Sequence, residues 1–242
     1  MIPIRTFASA KRVLMQLKHD PRSMALIIVA PCLLMSFLKF VYWSQPEVFQ
    51  NVAGSLLGVF PMLVMFLITS VATLRERTSG TLERVLISPI SKFEFISGYA
   101  LAFGIASALQ AIIVSTFAIG PLGLKVVGSQ SGLIFIAILD ALLGLALGLF
   151  VSSFAKTEFQ AIQFLPVVLL PQLLLSGLLA PRESMAGVLP EISNFLPLSY
   201  AVDATKKVLI GQGSITKDVL VIILFLIILL SAGSLTLRRT TK

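Results

Sequence analysis

Long apolar runs separated by short polar ones organise this chain. A helix crossing a hydrocarbon core needs about 20 apolar residues. Six stretches qualify: 24–43, 52–74, 95–120, 133–154, 159–180 and 219–237. Four of them carry no charge, while Lys39 lies near one end of the first and Asp140 lies inside the fourth. The pattern predicts an all-α membrane protein, a single domain over 1–242 built on six transmembrane helices.

Three polar segments flank the spans. In the arm 1–22, Phe7, Ala10, Leu14 and Leu17 recur at helical spacing, and Arg5, Lys11, Arg12 and Lys18 avoid that stripe. This is a basic amphipathic helix for the inner membrane surface, ended by Asp20-Pro21. In the island 75–94, Leu82, Val85 and Leu86 fall at i, i+3 and i+4, which predicts a short amphipathic cytosolic helix. Pro89 stops that helix, and Ser91 with Glu94 forms a capping box for the third span. The segment 181–217 holds Pro190, Glu191 and Pro197 in a moderately apolar setting. It is expected to be an outer re-entrant hairpin dipping into the outer leaflet, which is tolerated where protein covers its backbone.

Composition supports membrane residence: 57% of residues are hydrophobic and 12% charged, about half the charge of a soluble domain. The net charge of +8 does not indicate nucleic acid, because the basic residues sit at the ends of spans. With the N-terminus inside, thirteen of the 19 Lys and Arg face the cytosol. Six (Lys39, Lys125, Arg182, Lys206, Lys207 and Lys217) face outward. Both termini are therefore expected in the cytosol. Cys32, the single cysteine, lies in an apolar run and reads as a buried thiol. The start lacks the order of a cleavable signal, so the first span is expected to persist.

The run RERTSGTLERVL beginning at Arg75, with Ser88-Pro89-Ile90, resembles the first cytosolic loop of ABC-2 type transporter permeases. A second stretch agrees: LSGLLAPRESM from Leu175 and LPLSYAVD from Leu196 are similar to that family's fifth span and outer hairpin. Within the family the chain looks like the bacterial six-span drug-exporter permeases of the daunorubicin-resistance type. The short loop 44–51 departs from relatives with a large outer domain there.

The resemblance implies a permease subunit of an ATP-driven exporter in a bacterial cell membrane, moving a hydrophobic or amphipathic substrate, drug or lipid-like, outward. Its partners would be two copies of a separate ATP-binding subunit, a second copy of itself, and membrane lipid. Glu76, Gly80, Glu83, Arg84 and Leu86 would be the coupling contacts. The second and fifth spans would line a pathway between protomers. Candidates there are Met62, Met65, Phe66 and Thr69 on one face of the second, and Leu169, Gln172 and Ser176 on one face of the fifth. Pro166 and Pro171 are expected to kink the fifth span.

The residues also exclude functions. No G-x-x-x-x-G-K-[ST] occurs, so the chain holds no P-loop, and ATP and magnesium would belong to the partner subunit. The only histidine, His19, lies in the arm and Asp140 is the only deep acid, so there is no catalytic constellation for an intramembrane enzyme. Asp140 reads as a protonated or hydrogen-bonded carboxyl within the bundle. The alternative is a proton-coupled secondary transporter working through it. Gly54-x-x-x-Gly58 and Gly144-x-x-x-Gly148 permit close helix approach, within the chain or across a dimer.

The topology is testable with single cysteines in a Cys32→Ser background. A membrane-impermeant maleimide applied to intact cells is expected to label Ser129→Cys and spare Thr241→Cys. Labelling of the Thr241 site alone would invert the orientation.

Overall fold

The computed structural model describes residues 2–79 and 92–236. Among them every regular element is helical: α1 (Ile2–Lys18), α2 (Pro21–Val41), α3 (Pro46–Thr78), α4 (Lys92–Ile119), α5 (Gln130–Ser152), α6 (Glu158–Leu175), α7 (Leu189–Asn194), α8 (Pro197–Ile210) and α9 (Thr216–Thr236). A 3-10 turn, Arg182–Ser184, lies between α6 and α7. Six helices (α2 to α6 and α9) are long and apolar enough to cross a membrane, at the six places the hydropathy pattern selects. The island's expected helix lies outside the described residues.

Helix boundaries follow local chemistry. Asp20 does more than break α1: its carboxylate accepts from the backbone of Arg22 and Ser23, capping α2, and Pro21 occupies the first turn. The Ser23 hydroxyl, which donates to Asp20 at 2.7 Å, holds that carboxyl below its ordinary pKa. Ser129 and Thr157 cap α5 and α6 in the same way. Gly211, at φ +66°, ends α8 in the left-handed conformation that glycine adopts without strain. α6 remains helical through Pro166 and Pro171.

α3 has 33 residues, about 50 Å at 1.5 Å per residue, so it outreaches a core of about 30 Å. Its most extensive neighbour is α5. A Cβ on Gly144 would lie 2.2 Å from the Met62 carbonyl oxygen, and one on Gly148 would lie 2.6 Å from that of Phe66. Residue numbers rise together, so the two helices run parallel with backbones in contact. The second glycine pair serves α8. A Cβ on Gly54 would meet the Leu209 side chain and one on Gly58 the Thr205 hydroxyl at 2.8 Å, so α8 runs antiparallel to α3. All four glycines thus act within the chain. Of the two placements open for them, the fold selects the intramolecular one.

Around α3 and α5 the other helices form an outer layer. α2, α6 and α9 are mostly exposed, as suits helices facing lipid or another subunit. The arm α1 packs along α4. Ser9, Ala10, Val13 and Leu17 are buried, and Phe7, on the stripe expected to face the membrane surface, is 67% exposed. The close approach is at Gly98, where a Cβ would stand 2.6 Å from the Ser9 Cβ. The glycine draws the small residues of α1 inward. At the far end of α2, Lys39 places its ammonium 4.6 Å from the Phe49 ring centre.

Gly144→Ala and Gly148→Ala force a methyl into backbone rather than into movable side chains. Each is expected to cost about 1–3 kcal/mol, read as a lowered midpoint of thermal unfolding in detergent. Gly233→Ala, whose Cβ would meet nothing closer than 3.8 Å, is the neutral control.

Candidate functional site

The last turn of α3 leads into the charged island, and three consecutive residues there reach three different helices. The Arg75 guanidinium donates twice to Glu158 of α6, at 2.7 and 3.0 Å. Glu76 accepts from Arg12 of α1 at 3.0 Å. Arg77 donates to the Ser152 carbonyl near the end of α5. Successive residues point about 100° apart around a helix of 3.6 residues per turn, so a triplet at one level contacts three neighbours. The Arg75–Glu158 pair is exposed and adds little stability by itself. Glu76 is different. It is only 8% exposed, with Tyr99 of α4 beside its ion pair, 3.5 Å from Arg12.

Glu76 was expected to contact a partner directly. Its carboxylate accepts from Arg12 of the arm and is mostly buried. Gly80, Glu83, Arg84 and Leu86 lie outside the described residues.

The pathway candidates are all inside the protomer. Met62, Met65, Phe66 and Thr69 are fully buried, on the side of α3 that touches α5 at Gly144 and Gly148. Leu169, Gln172 and Ser176 occupy the buried side of α6. The Gln172 amide donates to the Val168 carbonyl at 3.1 Å, while its Oε1 has no partner among the described residues. The Ser176 hydroxyl donates to the Leu173 carbonyl at 2.9 Å. The opposite side of α3, with Leu56, Phe60, Leu63, Leu67 and Val71, is half-buried and apolar. α2 and α6 both pack on α3, leaving this stripe as its least covered face. Spacing alone could not choose between the two sides, because both are apolar along the membrane-embedded part of α3.

Asp140 is fully buried where α3, α5 and α8 meet. Neither of its oxygens has a hydrogen-bond partner among the described residues. A Cβ on Gly58 would lie 3.0 Å from its Oδ2, and Thr205 directs its own hydroxyl to the Ala201 carbonyl at 2.9 Å. Asp140 is inside the bundle, as the sequence implies, and of the two forms expected there, protonated or hydrogen-bonded, the described residues supply no hydrogen bond. At the other end, Arg182 pairs with Asp203 at 2.7 Å and Lys207 with Asp218 at 2.6 Å, tying the 3-10 turn to α8 and α8 to α9. The described residues hold no cluster suited to a metal ion.

Residues 5–210, from the first turn of α1 to the end of α8, match the family described as ABC-2 type transporter. Over 175 residues the chain is 29% identical to "Probable multidrug ABC transporter permease YbhR" of Escherichia coli (strain K12), covering 72% of this chain and 48% of that protein. It is 28% identical over 192 residues to "Probable multidrug ABC transporter permease YbhS" of the same organism, covering 77% and 50%. To "Putative transport permease ycf38" of Cyanophora paradoxa it is 25% identical over 207 residues, covering 81% and 71%. The chain thus spans about half the length of the two Escherichia coli relatives. With six helices long and apolar enough to cross a membrane and a match over most of its length, the chain is a multi-pass membrane protein that belongs to the ABC-2 type transporter family.

Proposed function

We propose that this chain is the membrane-spanning permease subunit of an ATP-driven exporter in the bacterial cytoplasmic membrane, with both termini in the cytosol. It works as a two-fold dimer with two copies of a separate ATP-binding subunit, which holds the ATP and magnesium. Its cargo is hydrophobic or amphipathic. The observation that carries this reading is the triplet Arg75, Glu76 and Arg77, which joins the root of the island to α6, α1 and α5.

A movement of the island is passed to three helices at once by such a joint. Gly80, Glu83, Arg84 and Leu86 are the contacts with the ATP-binding subunit, and Glu76 positions the island from behind. ATP must favour one arrangement of the permease over the other, because a ligand shifts an equilibrium only by its differential affinity. The half-buried stripe of α3, flanked by α2 and α6, faces the second copy. Cargo passes along it as the second and fifth spans rearrange. Residues 181–217 form the re-entrant hairpin, and α7 and α8 close the outer exit.

Glu83→Arg and Gly80→Pro are expected to insert normally and to lose both transport and co-purification of the ATP-binding subunit. Full transport by both variants contradicts the assignment of the island.

A second reading rests on Asp140, whose buried carboxyl, without a hydrogen-bond partner among the described residues, suits a proton carrier. Asp140→Asn keeps the shape and removes the ionisable group. Under the exporter reading this variant transports at the wild-type rate with ATP as the energy source. Abolished transport together with proton-driven activity of the wild-type chain alone would identify a secondary transporter.

A further inference from the structure

A groove of about 230 Å³ lies between the arm α1 and the first half of α4, bordered by Phe7, Lys11, Leu14 and Lys18 on one side and by Leu101 and Ile105 on the other. Pockets that enclose a whole small molecule begin at about 300 Å³, so this one is sized for part of a molecule. Phe7, Leu101 and Ile105 stay exposed around it. Leu101 and Ile105 stand four and eight residues into the apolar span that starts at Ser97. At a rise of about 1.5 Å per residue they lie about 6 and 12 Å along that span. A water-soluble partner does not reach such depth, so what meets the groove is lipid or another membrane-embedded chain.

The charges at its edge decide between the two. Lys11 and Lys18 are both exposed, and neither makes an ion pair among the described residues. Seven residues apart, they stand on one side of α1 about two turns from each other. Among the described residues no carboxylate borders the groove. A second copy meeting this surface across a two-fold axis would set the same basic patch against itself, which like charges disfavour. A lysine ammonium instead recognises a phosphate through charge-assisted hydrogen bonds, and basic side chains at a membrane surface draw anionic lipid. An amine-bearing zwitterionic headgroup would find no acceptor here for its own ammonium.

We propose that the groove between α1 and α4 holds one acyl chain of an anionic phospholipid, whose phosphate is bound by Lys11 and Lys18. The chain lies against Leu14, Leu101 and Ile105 and fills the gap beside the close approach of Ser9 to Gly98. Arg12, next in sequence to Lys11, pairs with Glu76, so the lipid sits one residue from the link between the arm and α3. Its binding does not depend on the exporter reading.

The test is native mass spectrometry of the detergent-purified full chain given equal amounts of dioleoyl phosphatidylglycerol and dioleoyl phosphatidylethanolamine. No ATP-binding subunit is needed, so failure here is distinct from failure of the exporter reading. One phosphatidylglycerol is expected to be retained per chain in preference to phosphatidylethanolamine. Lys11→Gln and Lys18→Gln should each lower that preference about fivefold. The pair Lys125→Gln and Lys217→Gln removes the same charge from exposed positions outside the groove and should change nothing. Ile105→Trp fills the groove and should lower phosphatidylglycerol retention with both lysines in place. Equal retention of the two lipids by the wild-type chain would overturn the proposal. So would an equal loss in the two lysine pairs, which would reduce the effect to net charge, or retention indifferent to Ile105→Trp. A lipid-free dimer cross-linked through Met15→Cys in a Cys32→Ser background would also overturn it, by showing that a second copy covers the groove.

Discussion

The parallel contact of α3 and α5 through Gly144 and Gly148 is the constraint on which the rest of the molecule is arranged. With a Cβ at either position the two backbones would separate, because the obstructing atoms belong to the main chain of Met62 and Phe66. In an apolar solvent there is little hydrophobic gain in joining helices, and close packing has to supply the association. The contact therefore sets the axis to which α4, α8 and α9 are fitted. It also turns the Met62 and Phe66 side of α3 inward, which leaves the Leu63 and Leu67 side as the least covered face.

A helix longer than the hydrocarbon core can link events at the membrane surface to packing within it. α3 is such a helix, and its polar end is bound on three sides while its apolar length lies against α5. The partly buried pair Arg12–Glu76 adds a consequence for the arm. Because α1 is docked on α4 by the Ser9–Gly98 approach and joined to α3 by this ion pair, it is part of the bundle. Breaking one partner of a partly buried pair leaves an uncompensated charge, so the arm and the end of α3 are held in a common position.

The spans were legible because crossing a membrane imposes a length and a composition that few other structures need. The capped starts of α5 and α6 were present as Ser129 and Thr157, and Asp20-Pro21 carried the start of α2 as well as the end of α1. The site was legible only at its edge. The island stood out by charge, but the partners of Arg75, Glu76 and Arg77 lie 83, 64 and 75 residues away, and no local pattern announces them. The apolar cleft beside α3 was missed for another reason. A helix apolar on both sides gives no periodic signal for which side meets protein.

The six-span helical membrane architecture, with Lys and Arg weighted toward one side, is written in the sequence, because hydrophobic length and the placement of Lys and Arg act locally on each span. Tertiary structure alone decided which face of each helix is inside. It buried Ser9 and Val13 of α1, used all four glycines of the two motifs within one chain, and buried Asp140 beside Gly58 and Thr205 without a hydrogen-bond partner among the described residues. These outcomes depend on how closely two backbones can approach. That distance is set by side chains on both helices together, and neither helix's own pattern contains it.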